Sequence, residues 1–261
     1  MALVPQLASA TEDRAAGGQR IDGSVHFDQD KTTYLAKTFA TAGNTRTWTW
    51  SCWIQRTYFD GSGNFFRIFG QSEVNHIYFY EDGLFWDMGS GSPTLRTTQK
   101  FRDNDWFNIV AVFDSTNATS GDRMRFYVNG VRLTLFDSAS YPGANATANI
   151  SSAAIHTIGN RTSDQGSAGG ALSANMSQVY FVDGQALEPS EFGYTDELTG
   201  QWRPKKFSGS YDIPVSSATG AKPILVTTGP TGSSTDGSVD TTDSAKASIK
   251  IALPLQDDTN D

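Results

Sequence analysis

The sequence predicts an all-β protein built as a two-sheet antiparallel jelly-roll sandwich, with an extended arm before it and a polar tail after it. Three observations carry that expectation. Several runs place apolar residues at every second position, the period of a strand with one buried face. Three Asn-Gly or Asp-Gly dipeptides sit between such runs, where tight hairpins turn. Outside the opening residues no long stretch keeps a helical period, and Thr, Ser, Val, Phe and Tyr dominate the middle of the chain.

Residues 1–20 hold Ala, Gly, Gln and mixed charge without a sustained apolar period, and read as an arm that orders only against a partner. Residues 21–208 form the sandwich domain. In TWTWSCWIQRT, Trp48, Trp50, Cys52 and Ile54 take one face and Thr47, Thr49, Ser51, Trp53 and Gln55 the other, so Trp53 alone breaks a polar face. YFYEDGLFW predicts a hairpin turning at Asp82-Gly83. In DWFNIVAVFD, Phe107, Ile109, Ala111 and Phe113 oppose Trp106, Asn108, Val110 and Val112, the pattern of a central strand covered on both sides. In DRMRFYVNG, Met124, Phe126 and Val128 oppose Arg123, Arg125 and Tyr127, whose face is wet or binds something. The next hairpin turns at Asn129-Gly130. VYFVDGQALEPSEFG, residues 179–193, reads as a strand, a turn at Asp183-Gly184, a return strand and one helical turn that stops at a glycine. Residues 209–261 are rich in Ser, Thr, Gly and Asp, with two apolar islands, PILVTT and IKIALPL, each long enough for one strand. These are expected on the sandwich edge or on another chain.

A formal charge of −8 leaves no broad cationic surface, which excludes non-specific binding to nucleic acid. No segment approaches the roughly 20 apolar residues that span a bilayer, so no membrane insertion is expected. Cys52 is the only cysteine, so neither an intrachain disulfide nor a cysteine zinc site can form. That fits assembly in a bacterial cytoplasm better than passage through an oxidising secretory route. The small-residue ASA near the start follows no basic region and an apolar stretch broken by Pro5 and Gln6, so it is not read as a signal-peptide site.

The segments IDGSVHFDQDKTTYLAKT, NTRTWTWSCWIQRT, FRDNDWFNIVAVFDSTN, GDRMRFYVNGVRL and MSQVYFVDGQALEPSEFG resemble, in that order, the strand motifs of laminin G-like, concanavalin A-type jelly-roll domains. The resemblance covers about Ile21 to Phe207. The continuation ALEPSEFGYTDELTGQWRPKKFSGSYD is similar to a run in laminin G-like virion proteins of bacteriophages, especially phages of marine bacteria. That likeness implies a non-enzymatic virion structural protein on the particle surface, assembled in the host cytoplasm. Its implied partners are other virion proteins, through the arm and the C-terminal extension, further copies of itself, and a host surface glycan. A tail fibre or appendage that attaches to glycans is one form; a capsid decoration protein with no receptor role is another; a carbohydrate-active enzyme of the concanavalin-like fold is the third. The departure is the end of the chain, where YDIPVSS and a polar tail replace the longer continuation seen in many such phage proteins.

Hydrolysis of glycosides needs two carboxylates flanking the bond. The nearest acidic pair on a strand-like run, Glu81 and Asp82, falls in a predicted turn. A nucleophile triad has only His26, His76 and His156 as bases, and Cys52 lies on an apolar face. Calcium, which laminin G-like domains often carry at the sandwich rim, is the one candidate cofactor. Asp60, Asn64, Asp114 and Asp122 offer loop oxygens for it, without the six to eight oxygens of an EF-hand-like set. A sugar site wants an aromatic platform ringed by hydrogen-bonding groups. Trp53, Tyr58, Arg125 and Tyr127 could line the non-core face of one sheet, or Trp53 could pack beneath a loop or against a neighbouring subunit. The basic run QWRPKK supplies Trp202, Arg203, Lys205 and Lys206 for docking an acidic partner, or is a solvated exit from the domain. Sequons at Asn117, Asn145, Asn149, Asn160 and Asn175 mark loops rich in Asn and Thr.

Overall fold

The computed structural model describes residues 18, 23–31, 33–59, 61, 63–71, 75–89, 93–161, 171–205, 207, 226–228, 234–236 and 249–253. Among them the strands are, in chain order, β1 (Val25–Phe27), β2 (Tyr34–Thr38), β3 (Thr47–Arg56), β4 (Phe65–Gln71), β5 (His76–Tyr80), β6 (Gly83–Asp87), β7 (Thr94–Lys100), β8 (Phe107–Asp114) and β9 (Met124–Val128). There follow β10 (Val131–Arg132), β11 (Phe136–Ser140), β12 (Ile155–Ile158), β13 (Ala174–Asp183), β14 (Gly193–Thr195), β15 (Trp202–Pro204), β16 (Val226–Thr228), β17 (Ser234–Asp236) and β18 (Ile249–Leu253). No α-helix occurs among the described residues; short 3-10 turns lie at Gln29–Lys31, Ser120–Asp122 and Pro189–Glu191.

Every strand pairing is antiparallel. The first large sheet runs β1-β13-β3-β8-β9-β10, and β18 adds to β13 beyond β1. The second runs β11-β7-β6-β5-β4-β12-β2-β16-β17. β14 and β15 form a separate small hairpin. This is the expected two-sheet jelly-roll sandwich. Both C-terminal islands pair within the chain itself, PILVTT through β16 on β2 and IKIALPL through β18 on β13. The arm, apart from Gly18, lies outside the described residues.

The faces follow the alternation in the sequence. Trp48, Trp50, Cys52, Ile54, Phe107, Ile109, Ala111, Phe113, Met124, Phe126 and Val128 all enter one core between the sheets. Ring packing there is dense: Trp48 meets Trp86 at 5.1 Å, and Trp50 lies parallel to Phe69 at 5.4 Å. Val110, Val112, Tyr127, Tyr180 and Val182, on the opposite side of the first sheet, join Phe192 and Phe207 in a second core. The second layer is thus the chain after β13, folded back across the sheet.

Two of the three predicted turns need correction. Asn129 and Gly130 have φ of 48° and 76°, as a tight hairpin between β9 and β10 requires. Between β5 and β6 the corner residues are Glu81 and Asp82, φ 47° and 61°, one position earlier than expected, and Gly83 already pairs with Tyr80. At Asp183-Gly184 only the glycine has positive φ, 78°, and no return strand follows. Thr49, on the outer side of β3, instead takes the chain: its hydroxyl donates to Gln185 O at 2.8 Å and accepts from Leu187 N at 2.8 Å. The dipeptide therefore ends β13 and steers the covering segment over the sheet.

Candidate functional site

The covering segment decides the fate of several residues that the sequence nominates. Trp53 is 5% exposed, too enclosed to serve as an open platform. Arg125 and Tyr127 are brought together by Glu188, whose carboxylate accepts from Arg125 Nη1 at 3.3 Å and from the Tyr127 hydroxyl at 3.2 Å. Burial pushes the Tyr127 phenol up. Tyr58 stands apart from these three, exposed, with its ring edge-on to Phe66 of β4 at 6.0 Å.

The described residues of the basic run have partners within the chain, Arg203 and Lys205 at the surface. The Trp202 indole covers Gly130 and Gly193, and its Nε1 donates to Asn108 Oδ1 at 3.2 Å. Arg203 pairs with Asp196 at 3.3 Å, and Lys205 Nζ donates to Ser190 O at 3.0 Å. Thr199, with the Leu198 amide, holds the Asp196 carboxyl below its usual range. Gly18 bridges to Lys205 beside this hairpin. Lys206 lies outside the described residues.

Of the loop oxygens nominated for calcium, Asp60 also lies outside the described residues. Asp114 Oδ1 accepts from the amide and hydroxyl of Thr116, and Asp122 pairs with Arg132. Among the described residues no three His, Cys, Asp or Glu side chains gather as a metal site. Asn64 directly precedes Phe65, the first residue of β4.

Glu81 and Asp82, adjacent in sequence, point opposite ways. Asp82 turns inward and pairs with Arg56 at 3.1 Å, both almost fully buried, while its second oxygen takes Arg102 at 2.9 Å. Arg56 also stacks on Phe79 at 4.5 Å. Glu81 turns outward and takes Arg96 at 2.8 Å. Cys52 is fully buried, and that burial pushes its thiol well up. His156 Nε2 accepts from the Ser151 amide at 3.1 Å, while the Ser151 hydroxyl donates to Asp183, so buried His156 and Ser151 and half-buried Asp183 serve the fold.

The outer face of the second sheet carries a cluster of rings and charges in which Phe65 is exposed, Tyr78 and Tyr80 are half-buried and Phe85 is 8% exposed. Register places Arg67 opposite Tyr78, Tyr78 opposite Phe85, and Phe85 opposite Arg96, one row across β4, β5, β6 and β7. Phe65 stands beside that row opposite Tyr80, and is 39% exposed. The four rings touch, with Phe65 to Tyr80 at 4.9 Å, Phe65 to Tyr78 at 5.4 Å, Tyr78 to Phe85 at 5.3 Å and Tyr80 to Phe85 at 5.5 Å. Arg67 lies over Phe65 and Arg96 over Phe85, at 5.4 and 5.0 Å. Gly83 leaves a notch opposite Tyr80, since a Cβ there would stand 3.3 Å from the Phe85 ring. Burial first, then the Asp87 charge, push the Tyr78 phenol up to about 12. Apolar rings beside hydroxyl, guanidinium and carboxylate groups match a sugar, whose ring faces are apolar and whose rim is polar.

Sequence reasoning passed over this face, although a signal was present. In HIYFYEDGLFWD the core takes Ile77, Phe79, Leu84 and Trp86, and the alternate positions still hold Tyr78, Tyr80 and Phe85. A strand with one wet face rarely spends its outward positions on aromatics.

Residues 28–191 match the family described as the concanavalin A-like lectin/glucanases superfamily. Among solved structures, a proposed carbohydrate binding protein from Bacteroides ovatus aligns at TM-score 0.48 and 16% identity, covering 80% of this chain and 55% of its own. Domains LG4-5 of the mouse laminin alpha1 chain align at 0.44 and 11%, covering 66% and 44%. The enzymatically active domain of tailspike protein 2 from bacteriophage CBA120 aligns at 0.43 and 12%, covering 65% and 26%. This chain thus spans about half the length, or less, of these three. No curated protein sequence matches. At such identities the likeness carries nothing about ligand or activity.

Proposed function

The chain belongs to the concanavalin A-like lectin/glucanases superfamily, and from that premise we propose that it is a non-enzymatic glycan-binding domain displayed on a bacteriophage particle. The observation that carries the binding is the outward aromatic cluster of Phe65, Tyr78, Tyr80 and Phe85 flanked by Arg67 and Arg96. The non-enzymatic reading is supported by the two carboxylates at its rim, Glu81 and Asp137, which are both tied to Arg96 rather than facing each other across a cleft. The virion setting rests on the run from Ala186 to Asp212, similar to phage virion proteins. In it, arm and C-terminal extension contact neighbouring virion proteins and further copies of the chain, and calcium at a rim loop is an accessory.

The test is binding to a broad glycan array, followed by titration calorimetry with and without a calcium chelator. Phe65→Ala and Tyr78→Ala should weaken binding by about tenfold or more, a loss of ~1.4 kcal/mol each, with Phe65→Ala melting like the parent because that ring is partly exposed. An array that stays blank, or variants that bind as the parent does, would remove this face as the site. Mapping the chain in intact particles separates an appendage, at few copies, from decoration of the capsid lattice, at many.

A further inference from the structure

The charge arrangement on the aromatic face narrows its ligand, an inference that rests on the glycan-binding reading. Both cations of the row are engaged. Arg67 is only 8% exposed and lies against Phe65. Arg96 is stacked on Phe85 and held from two sides, by Glu81 at 2.8 Å and by Asp137 at 3.5 Å. Those two carboxylates are the open groups, their side chains 42% and 39% exposed, against 34% for Arg96 between them. Asp87, paired in register with His76 at the end of β6, adds a third carboxylate on the same side. A ligand approaching this face therefore meets Phe65, the half-buried Tyr78 and Tyr80, and the carboxylates first, with Phe85 lying deeper. An anionic ligand would have to pull Arg96 from its partners or lie beside uncompensated negative charge. The chain's net charge of −8 acts in the same sense at longer range. The strip is also long: from Arg67 to Arg96 it crosses three interstrand steps of about 4.8 Å, roughly 14 Å in all, more than a single sugar ring fills.

We propose that the outer face of the second sheet takes an uncharged, extended oligosaccharide laid across β4 to β7. Glu81 and Asp137 are its specificity-determining residues, excluding uronic and sulfated glycans by keeping Arg96 occupied.

The experiment uses the full chain against gluco-, manno- and galacto-oligosaccharides of increasing length, each matched with its uronic or sulfated counterpart. Neutral chains should bind, more tightly as they lengthen to the strip, and the anionic counterparts at least about tenfold more weakly, with the gap shrinking as salt rises. In Glu81→Gln/Asp137→Asn, which leaves the Arg96 guanidinium unpaired, the ratio of anionic to neutral affinity should rise at least about tenfold. Asp137→Asn alone, at the more peripheral partner, should move the ratio the same way, and serves if the double variant melts early. Anionic glycans bound as well as neutral ones would overturn the inference and leave the glycan-binding reading standing. An unchanged ratio in both variants would remove Glu81 and Asp137 from that role. Binding to no member of the panel, by parent or variant, would overturn both.

Discussion

Arg56 is the residue through which one sheet fixes a corner of the other. It ends β3, yet its guanidinium donates to Asp82 Oδ1 at 3.1 Å, to Phe101 O at 2.5 Å and to Tyr58 O at 3.2 Å. Burial lowers its pKa, opposed by the Asp82 carboxylate. The Glu81-Asp82 corner has positive φ at two residues with side chains, a strained conformation that persists only when its surroundings hold it. Asp82→Ala leaves Arg56 buried without its partner, and should cost about 3–5 kcal/mol in denaturant unfolding; Asp82→Asn, which keeps an acceptor and tolerates positive φ, should cost less. Equal losses would mean that the charge pair does not hold the corner. Tyr78 makes a claim about pH. Its folded pKa of about 12 lies above the ordinary value of 10.0, so the neutral phenol is the favoured folded form. The stability it contributes is whole below about pH 10 and is lost as pH rises through about 12. Tyr78→Phe should flatten the alkaline loss in that window, and a parent tyrosine titration with no late component would contradict it. Neither role was legible in the sequence, because Arg56 and Asp82 are distant in sequence and only the closed sandwich sets one against the other.

At the scale of elements, local chemistry was readable where it was sufficient. β3, β8 and β9 bury the faces that their alternation assigns, and Asn129-Gly130 turns as its residue types require. Asp183-Gly184 has nearly the same local chemistry and does something else, since the deciding partner is Thr49 on a neighbouring strand. Trp53, open by its sequence between a sugar platform and a packed ring, is at 5% exposure the packed ring. The two glycines offer a clean comparison. Gly130 and Gly184 have φ of 76° and 78°, but a Cβ on Gly130 would stand 2.5 Å from the Trp202 ring, whereas the nearest atom to one on Gly184 is 3.8 Å away. Gly184→Ala should therefore lose only the strain of positive φ, about 1 kcal/mol. Gly130→Ala should lose more and shift the tryptophan fluorescence as Trp202 is displaced. Equal melting temperatures would mean that the indole yields without cost.

Across the whole molecule, the fold class and the main core were legible because they follow from period-2 patterning along many strands at once. The proposed binding face was not, since its aromatics sit in alternation with the core's and periodicity alone does not distinguish a ring that meets solvent from one that meets a second layer. The two outer surfaces of the sandwich differ: that of the first sheet is closed by the covering segment with its Phe192 and Phe207, that of the second leaves Phe65 exposed and Tyr78 and Tyr80 half-buried. Gly18 meets Lys205 on the closed side. A pull between residues 18 and 205 would load that bridge and the neighbouring β14–β15 hairpin first, at a distance from β4 to β7. A pull from farther along the chain would instead arrive through β16 at β2, in the same sheet as the rings, so where this domain is held decides whether strain reaches them.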